Sequence, residues 1–347
     1  MSDITLGIIG SGQLGMMLCQ AAKKLNVKTI VISDDEQGPA QNYADKFIFS
    51  KYDNQEKIAE FIDKVDVVTF EFENIPVDIL KQIEKEKKVL PKPEVNKIIQ
   101  NRKLEKSFVN KLGISTTEWA FIKKADDVHK HSNLLPGILK TNTLGYDGHG
   151  QFVLNSLEDI KKDWCFTADY ILEKKVNLKK EISVVITRFL SGEIFIYEPI
   201  ENLHQDQILK HSKIPAEISH QIFNQAQKNA KLIADQLDYV GTMCVEYFID
   251  QNDNLLVNEI APRVHNSGHL TLNAFTISQF ENHVRAVCDL KFEKSQKKSN
   301  AEMINILGSE IEEYRSKTFQ NGEFFVDYEK KSIKEKRKMG HLTVVKK

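Results

Sequence analysis

The sequence predicts an α/β fold that continues into an α+β region and ends in a small, mainly β segment. Over residues 1–98, short apolar strands alternate with helical segments, which is the pattern of a parallel sheet. Over residues 99–290, pairs of strands are separated by short turns, which is typical of antiparallel pairing. Residues 291–347 are again mainly strand-like. These three observations predict three domains with those boundaries.

The composition favours a cytoplasmic protein with substantial hydrophobic cores. The chain has 347 residues, 41% of them hydrophobic, and a net charge of −1, so no overall charge favours nucleic-acid or membrane partners. Cys19, Cys165, Cys244 and Cys288 are far apart and lack metal-binding spacing, so we expect reduced core cysteines. The N-terminus passes from Asp3 into an apolar strand, unlike a signal peptide. No apolar run reaches the length of a membrane helix.

A glycine-rich turn joins the first strand to the first helix. Strands are predicted at residues 4–9 and 28–33, and residues 10–15 open a helix that extends to about Lys24. Glycines let the backbone approach a ligand closely, and a helix N-terminus favours an anion. Asp34 lies near the position of a ribose-binding acid in dinucleotide sites. A nicotinamide-dependent oxidoreductase is therefore one alternative, and a tight turn that binds nothing is another.

The alternation continues through the first region and the segment that follows it. We predict strands at residues 46–50 and 65–71 and helices at residues 54–64, 77–85 and 93–112. Residues 71–76 form an acidic exit at the carboxyl end of a strand, where open α/β sheets bind ligands. Glu73 is therefore a candidate substrate contact, with helix capping as the alternative. Arg102 lies in the last of these helices, where most arginines are simply solvated.

A lysine and a second glycine-rich loop form another candidate site. Predicted strands at residues 137–140 and 151–154 flank a loop at residues 145–150, and Lys140 ends the first strand. Several folds cover nucleotide phosphates with a mobile glycine loop beside a lysine. An unpaired lysine in an apolar strand is also costly to bury, which favours a bound partner. The alternative is an ordinary long hairpin.

Two apolar runs at residues 243–250 and 255–260 predict a β-hairpin. Centring its turn on residues 252–253 places Glu246 directly opposite Glu259. Like charges in that position repel, and a hard divalent cation such as Mg²⁺, which prefers carboxylate oxygens, removes the repulsion. The alternative is an exposed hairpin whose glutamates point into water. Four apolar residues predicted on the same face argue against that alternative: Cys244, Phe248, Leu255 and Val257.

Further elements are predicted on both sides of this hairpin. They are strands at residues 170–174, 181–189 and 194–199, an amphipathic helix at residues 216–237, and a helix to residue 290 that opens with a capping box of Ser278 and Glu281. Glu173 and Val176 flank a strand-to-loop crossing and are candidates to contact an adenine. Glu181, at a strand start, is a candidate to accept hydrogen bonds from ribose hydroxyls.

Two polar segments close the list of candidate sites. Residues 261–269 combine a cation, two imidazoles, an amide and a hydroxyl, a set of donors that suits a phosphate or a polar heterocycle. Residues 328–341 are densely basic and precede a predicted final strand at residues 342–345. A charge run is usually a solvated tail. The following strand favours a structured loop, and hence a phosphate site.

Six motifs together resemble a known enzyme family. They are GSGQLGMM at residues 10–17, EFENIP at 71–76, GYDGHGQ at 145–151, ENLH at 201–204, NEIAPRVHNSGH at 258–269 and RKMGH at 337–341. In this order they resemble the 5-(carboxyamino)imidazole ribonucleotide synthases, ATP-grasp enzymes of bacterial and fungal purine biosynthesis. The resemblance extends from Leu6 to Val345. It implies an ATP-grasp fold with a Rossmann-like N-terminal domain and a small, mainly β C-terminal domain.

The resemblance also implies a reaction. ATP phosphorylates bicarbonate to carboxyphosphate, which breaks down to carbon dioxide and phosphate. The exocyclic amine of 5-aminoimidazole ribonucleotide is then carboxylated. ATP and Mg²⁺ are the implied cofactors, the ribonucleotide and bicarbonate are the implied substrates, and a homodimer is the implied assembly.

Roles for individual residues follow from the same resemblance. Glu246 and Glu259 resemble the magnesium ligands. Asp147 resembles the general base that takes the amine proton, with Tyr146 and His265 as further catalytic candidates. The implied ATP contacts are Arg102, Lys140, Gly145, Tyr146, Asp147, Gly148, His149, Gly150, Gln151, Glu173, Lys174, Lys175, Val176, Glu181, His204, Asn258 and Glu259. The implied ribonucleotide and bicarbonate contacts are Glu73, Tyr146, Arg263, His265, Asn266 and Ser267, with Lys330 and Arg337 at the 5′-phosphate.

The chain departs from the family pattern in three places. His149 stands where the family usually has Lys or Arg, and a histidine is charged only part of the time near neutral pH. Glu329 replaces the glycine of the usual Tyr-Gly-Lys. Lys334, Glu335 and Lys336 replace an arginine and a Pro-Gly pair, and a lysine keeps the charge of an arginine without its bidentate geometry.

Three other functions remain as alternatives. Another ATP-grasp ligase, of the biotin carboxylase or formyl-transferring kind, would keep the ATP site and change the acceptor. A nicotinamide oxidoreductase leaves Glu246, Glu259 and the second glycine loop unexplained. A non-catalytic nucleotide-binding or scaffold protein would bind ATP without bicarbonate-dependent turnover.

Overall fold

Five parallel strands form the first sheet, which confirms the predicted α/β start. The computed structural model describes residues 4–145, 150–160 and 168–346. The first elements are β1 (Thr5–Ile9), α1 (Gln13–Lys24), β2 (Lys28–Ser33), β3 (Lys46–Phe49), α2 (Gln55–Asp63), β4 (Val67–Phe70), α3 (Val77–Glu84) and β5 (Lys88–Val89). The strand order is β3-β2-β1-β4-β5. The apolar runs of β1 and β4 are buried because helices cover the sheet.

Two short helices, α4 (Pro93–Ile99) and α5 (Arg102–Lys111), follow the first sheet. The prediction of one helix over residues 93–112 was therefore wrong. The chain breaks at Gln100 and Asn101, and the Asn101 side chain caps α5 by accepting a hydrogen bond of 3.0 Å from the backbone N–H of Leu104. The break separates α5 from α4, and Arg102 lies in the first turn of α5.

A four-stranded antiparallel sheet carries the second glycine loop. It comprises β6 (Trp119–Ile122), β7 (Gly137–Thr141), β8 (Gln151–Leu154) and β9 (Tyr170–Lys174), with α6 (Ala125–Lys130) between β6 and β7. The order is β6-β9-β7-β8. Lys140 pairs with Gln151 on β8 and with Ile171 on β9, so β7 lies inside the sheet and the lysine is buried.

The largest sheet has nine strands and includes the C-terminal segment. Its strands are β10 (Leu178–Arg188), β11 (Ile194–Ile196), β12 (Ile200–Gln205), β13 (Ile208–Ile214), β14 (Gly241–Asp250), β15 (Leu255–Ala261), β16 (Asn300–Leu307), β17 (Glu323–Asp327) and β18 (Lys338–Lys346). The order is β15-β14-β10-β12-β13-β16-β18-β17, with β11 beside β10. Because β16 pairs with β13, the C-terminal strands extend this sheet instead of forming their own.

Helices cover the large sheet. They are α7 (His220–Gln236), α8 (Thr271–Ala274), α9 (Gln279–Val287) and α10 (Glu310–Ser316). The apolar stripe of α7 packs on β10 and β14. The predicted capping box is confirmed, because Ser278 and Glu281 bond reciprocally at the start of α9. Helix α9 packs against α1, which joins the N-terminal sheet to the large one.

Cys19, Cys244 and Cys288 are buried free thiols, and Cys165 lies outside the described residues. Within residues 4–145, 150–160 and 168–346, every helix is too short or too polar to cross a membrane.

Candidate active site

The predicted pair of glutamates is confirmed, although the turn that led to it was misplaced. Glu246 on β14 lies opposite Glu259 on β15. Near the turn, however, the backbone N–H of Asp250 donates to the carbonyl of Asn254 over 3.1 Å, so the turn is centred one half-residue earlier than predicted. A β-bulge at Asn258 adds one residue to β15 and restores the predicted pairing.

The prediction that Leu255 and Val257 share the face of the two glutamates was wrong, because the bulge changes the side-chain alternation of β15. Leu255 and Val257 pair with Ile249 and Tyr247, so they lie on the opposite face, in the core beneath α7. A shift of one residue reverses the side-chain alternation of a strand. Cys244 does share the face of Glu246, and its sulfur lies 4.0 Å from the hydroxyl oxygen of Ser267.

His265 and Glu246 form a buried ion pair at one end of this face. The His265 Nε2 atom lies 3.1 Å from Oε1 of Glu246, and its Nδ1 atom lies 2.8 Å from the Ser267 hydroxyl. Burial disfavours both charges, but the His265 imidazolium lowers the pKa of Glu246 to about 2. Burial also opposes the charge on His265, yet the neighbouring Cys244 and Glu246 raise its pKa to about 10. The polar loop therefore presents a cation beside the glutamate pair.

Lys140 is paired inside the protein. Its Nζ atom lies 2.9 Å from Oε2 of Glu173, and Nζ of Lys106 lies 3.2 Å from the other carboxylate oxygen. Burial alone would raise the pKa of Glu173, but Lys106 and Lys140 lower it to about 2. The carboxylate of Glu173, proposed from sequence to flank an adenine, thus neutralises two lysines. Sequence reasoning missed Lys106, although its place four residues after Arg102 on one helix face was a usable signal.

Arg102 and Glu105 on α5 approach the glutamate pair from the edge of β15. The Nη1 atom of Arg102 lies 3.4 Å from Oε2 of Glu259. Glu105 is buried and accepts a 2.6 Å hydrogen bond from the backbone N–H of Ile260. Burial and the nearby carboxylate of Glu259 raise the pKa of Glu105 to about 8. Sequence reasoning also missed Glu105, because its partner lies 155 residues away.

Glu71 fills the anion position of the first glycine loop. Its carboxylate accepts hydrogen bonds from the backbone N–H groups of Gly12, at 2.8 Å, and Gly15, at 3.2 Å. Burial raises the pKa of Glu71, while Arg263 and Lys330 are close enough to oppose this rise. A helix N-terminus that already holds an internal carboxylate leaves little room for a dinucleotide pyrophosphate. This arrangement disfavours the nicotinamide alternative.

Glu73 and Arg263 are brought together at the boundary between the first sheet and the large sheet. The guanidinium donates to both carboxylate oxygens, with Nη2 at 3.1 Å from Oε1. Burial disfavours the Glu73 charge, but Arg263 holds the pKa of that carboxyl below its usual value. The two residues proposed to contact the ribonucleotide therefore bond to each other.

The ENLH motif and Asn258 lie along the same large sheet. His204 Nδ1 lies 2.6 Å from Oε2 of Glu181. Burial opposes the charge of His204, but the adjacent carboxylate of Glu181 raises its pKa. The buried side-chain oxygen of Asn258 has no hydrogen-bond partner in the part of the chain that the structure describes. An orphaned acceptor of this kind suits a ligand group.

Asn266 and the C-terminal loop hold the remaining predicted contacts. Asn266 is buried and exchanges hydrogen bonds with Asn305 on β16. Lys330 Nζ donates to the carbonyl of Lys338 over 2.8 Å, and Arg337 donates to the carbonyl of Ser332 over 3.0 Å. Both side chains belong to the loop between β17 and β18 and donate to backbone carbonyls of that loop or of the first residue of β18.

Glu329, at the position where the resemblance implies a glycine, connects this loop to the N-terminal region. Its φ angle is +53°, where a glycine would be less strained. Its carboxylate accepts hydrogen bonds from the Tyr43 hydroxyl, at 2.5 Å, and from the Asn42 amide, at 3.2 Å. The substitution therefore replaces backbone freedom with a contact between distant segments.

Part of the predicted site lies outside the described residues, namely Tyr146, Asp147, Gly148 and His149. The flanking residues are described. Gly145 precedes the segment, Gly150 has a φ angle of +73°, and Gln151 starts β8. At the other predicted ATP segment, Lys174 ends β9 with its Nζ 2.8 Å from Glu118, and Lys175 and Val176 follow as exposed or half-exposed connection to β10.

Comparison with known protein families accounts for nearly the whole chain. A ribonucleotide synthetase preATP-grasp domain matches residues 3–100, an ATP-grasp domain matches residues 107–280, and a phosphoribosylaminoimidazole carboxylase C-terminal domain matches residues 301–347. The match to the second of these extends across the four-stranded sheet and most of the glutamate face.

Individual relatives agree with these matches. The N5-carboxyaminoimidazole ribonucleotide synthase of Brucella melitensis is 39% identical over 99% of this chain and 96% of its own. The enzyme of the same name from Bacillus subtilis is 37% identical over 98% and 91%.

Solved structures give the same result. A crystal structure of an N5-carboxyaminoimidazole ribonucleotide synthetase with ADP superposes with a TM-score of 0.94 at 37% identity, covering 99% of this chain and 93% of that one. The Aspergillus clavatus synthase, in complex with ADP and 5-aminoimidazole ribonucleotide, superposes with a TM-score of 0.90 at 28% identity, covering 100% and 95%. The chain therefore belongs to the N5-carboxyaminoimidazole ribonucleotide synthase family of ATP-grasp enzymes.

Proposed function

We propose that this protein is a ligase that carboxylates 5-aminoimidazole ribonucleotide with bicarbonate at the expense of ATP, in purine biosynthesis. The observation that carries this proposal is that the polar loop at residues 261–269 contacts two separate parts of the site. Its His265 pairs with Glu246 of the glutamate pair, and its Arg263 pairs with Glu73 of the N-terminal region. Such a loop can place a small acid beside an ATP phosphate on one side and a nucleotide acceptor on the other.

Mg²⁺ is the proposed metal, held by Glu246 and Glu259. Among the described residues no group of three or more His, Cys, Asp or Glu side chains could hold an ion alone. Two carboxylates nevertheless suit Mg²⁺, which commonly takes one or two carboxylates and completes its shell with substrate phosphates and water. When bound, the ion would neutralise the charge of the ATP phosphates.

The chain's own residues would then divide the remaining work. Lys140 and Arg102 would contact ATP phosphates, with Glu173 orienting the lysine through their 2.9 Å ion pair. The His265 imidazolium would bind bicarbonate. It would thereby hold the attacking bicarbonate oxygen next to the γ-phosphoryl group of ATP. The γ-phosphoryl group passes to bicarbonate, and carboxyphosphate releases carbon dioxide and phosphate. Asp147 would accept the proton that the exocyclic amine loses as its new bond to carbon forms.

The remaining assignments are also proposals. We propose a cytoplasmic location, which the buried free thiols support. We also propose a homodimer, which the family resemblance supports. We propose domain boundaries at residues 98/99 and 290/291, close to the limits of the matched family domains. The 5′-phosphate is assigned to Lys330 and Arg337, which the basic character of their loop supports.

The test is phosphate release from ATP with Mg²⁺ and bicarbonate, measured with and without the ribonucleotide. We expect the ribonucleotide to stimulate release in the wild type but not in Glu259→Gln. Glu198→Gln, which alters a glutamate paired with Lys297 away from the site, is the matched control. ATP turnover that ignores the ribonucleotide would assign the chain to another acceptor. Binding of ATP without any turnover would favour the non-catalytic alternative.

A further inference from the structure

Hydrogen bonds along the outer edge of β15 show that the bulge changes which backbone N–H groups point outward. The backbone N–H of Val257 donates to the carbonyl of Ser115 over 2.8 Å, and the N–H of Ile260 donates to Glu105 over 2.6 Å. In a regular strand the N–H groups on one edge come from alternate residues, so Val257 would be followed by Glu259. A spacing of three residues is therefore the signature of the extra residue, Asn258.

Two consecutive side chains of α5 bond to this bulged stretch. Glu105 accepts from the N–H of Ile260, and Lys106 Nζ lies 3.4 Å from the carbonyl oxygen of Asn258. Both side chains are almost completely buried, with 3% and 1% of their surface exposed. Their helix is fixed at its start by the Asn101 cap, and Lys106 is held from the other side by Glu173. The contacts thus come from a rigid element.

The regular register would destroy the glutamate pair. If the pairing of Tyr247 with Val257 continued without a bulge, Asn258 would lie opposite Glu246. Glu259 would then turn to the other face of the sheet, into the core beneath α7. In that register Glu105 and Lys106 would also lose their partners on β15 and remain buried without them, which is unfavourable.

We propose that Glu105 and Lys106 are positioning residues that hold the bulge in β15 and thereby keep Glu259 opposite Glu246 for a divalent cation. This inference rests on the cation site of the proposed function. Glu105 bonds to the backbone N–H of Ile260, and Lys106 bonds to the backbone carbonyl of Asn258. They act through the backbone on either side of Glu259.

The experiment compares Glu105→Met with Glu105→Gln. Methionine keeps the length of the side chain and removes the acceptor, while glutamine retains an oxygen for the N–H of Ile260. ADP binding is measured by calorimetry with Mg²⁺ and with EDTA, and amide exchange at Ile260 is measured without any ligand. Lys106→Met provides a second variant, because it removes the donor to Asn258 and leaves Glu105 in place.

We expect Glu105→Met to reduce the tightening of ADP binding by Mg²⁺ by roughly tenfold, the usual effect of losing a group that orients a metal ligand. ADP affinity in EDTA should stay within about twofold of the wild type, and Ile260 exchange should become faster. Glu105→Gln should behave as the wild type in all three measurements.

Each other outcome has a defined meaning. Unchanged Mg²⁺ dependence and unchanged Ile260 exchange in Glu105→Met would overturn the inference. An equal loss of ADP affinity with and without Mg²⁺ would also overturn it, because it would indicate general damage to the domain. If Mg²⁺ fails to tighten ADP binding in the wild type, the proposed cation site fails instead, and the exchange of Ile260 alone then decides whether Glu105 holds the bulge.

Discussion

Arg263 donates hydrogen bonds to both carboxylate oxygens of Glu73, a residue 190 positions earlier in the chain. Glu73 follows a strand of the parallel sheet, and Arg263 follows the edge strand of the large sheet. The pair is largely buried, with 17% of the arginine and 25% of the glutamate side chain exposed. Each charge therefore depends on the other.

Removing either partner should cost more stability than removing both. We expect Arg263→Ala to lower the free energy of unfolding by about 3–5 kcal/mol, because it leaves a buried carboxylate unpaired. The double variant with Glu73→Ala should recover part of that loss. Urea unfolding of the wild type, both single variants and the double variant measures this coupling. Losses that simply add would show that the pair contributes no coupling energy.

Glu173 should matter more for stability, and Lys140 more for ATP. Glu173→Gln leaves two buried lysines facing each other, so we expect a loss of about 3 kcal/mol or more. Lys140→Met leaves Glu173 paired with Lys106, so its stability loss should be smaller while ATP affinity falls roughly tenfold or more. Urea unfolding and calorimetry with ATP measure the two effects.

The control for these variants is Glu118→Gln, which alters the exposed partner of Lys174 on the same sheet. It should change stability by less than about 0.5 kcal/mol. Equal stability losses for Glu173→Gln and Lys140→Met would contradict the arrangement in which one carboxylate serves two lysines.

Asp147→Asn should separate carboxylation from ATP binding. If Asp147 takes the amine proton, we expect formation of the carboxyamino product to fall by roughly 100-fold or more, since a positioned base contributes about that factor. ATP affinity should remain within about threefold of the wild type. Product formation and ATP binding are measured separately, with Asp126→Asn on the exposed helix α6 as control. Wild-type product formation in Asp147→Asn would exclude the role.

His283 should make the protein less stable in mild acid. It is buried, its Nδ1 atom accepts a 3.0 Å hydrogen bond from the N–H of Thr242, and its Nε2 atom lies 2.8 Å from the Thr69 hydroxyl. Burial lowers the pKa of His283 from 6.5 to about 4. The unfolded chain therefore binds a proton at a higher pH than the folded one. The contribution of neutral His283 to the free energy of unfolding is complete above pH 6.5 and is lost as the pH falls towards 4.

The slope is about 1.4 kcal/mol per pH unit within that window. Between pH 7 and pH 5 the wild type should lose roughly 2 kcal/mol more than His283→Asn, as measured by urea unfolding at both pH values. The variant starts from a lower stability because it loses two hydrogen bonds, so only the change with pH is compared. Parallel losses in the two proteins would show that His283 does not titrate as proposed.

Local patterns in the sequence predicted most of the elements correctly. Strands β1 and β2, the helices α1 and α7 and the capping box of α9 follow from apolar spacing and cap residues that lie within one turn or strand. The prediction of one helix over residues 93–112 was wrong because the apolar pattern continues through Gln100. The helix α4 ends there, and the Gln100 side chain donates hydrogen bonds to the backbone carbonyls of Glu73 and Ile75. That partner is remote in sequence, so the pattern could not indicate the break.

The sequence by itself determined the alternation of strands and helices in the first sheet and the family motifs, because residue periods and short motifs are local. It also indicated the pairing of Glu246 with Glu259, but that pairing exists only because the bulge at Asn258 offsets the shifted turn. Only the tertiary structure decided three features of the site: Glu71 in the glycine loop, Glu173 between two lysines, and the bulge that Glu105 and Lys106 contact. Each is a bond between residues far apart in the chain. Burial makes such a bond necessary, since an isolated buried charge or N–H group is unfavourable, and the fold alone selects which distant group supplies it.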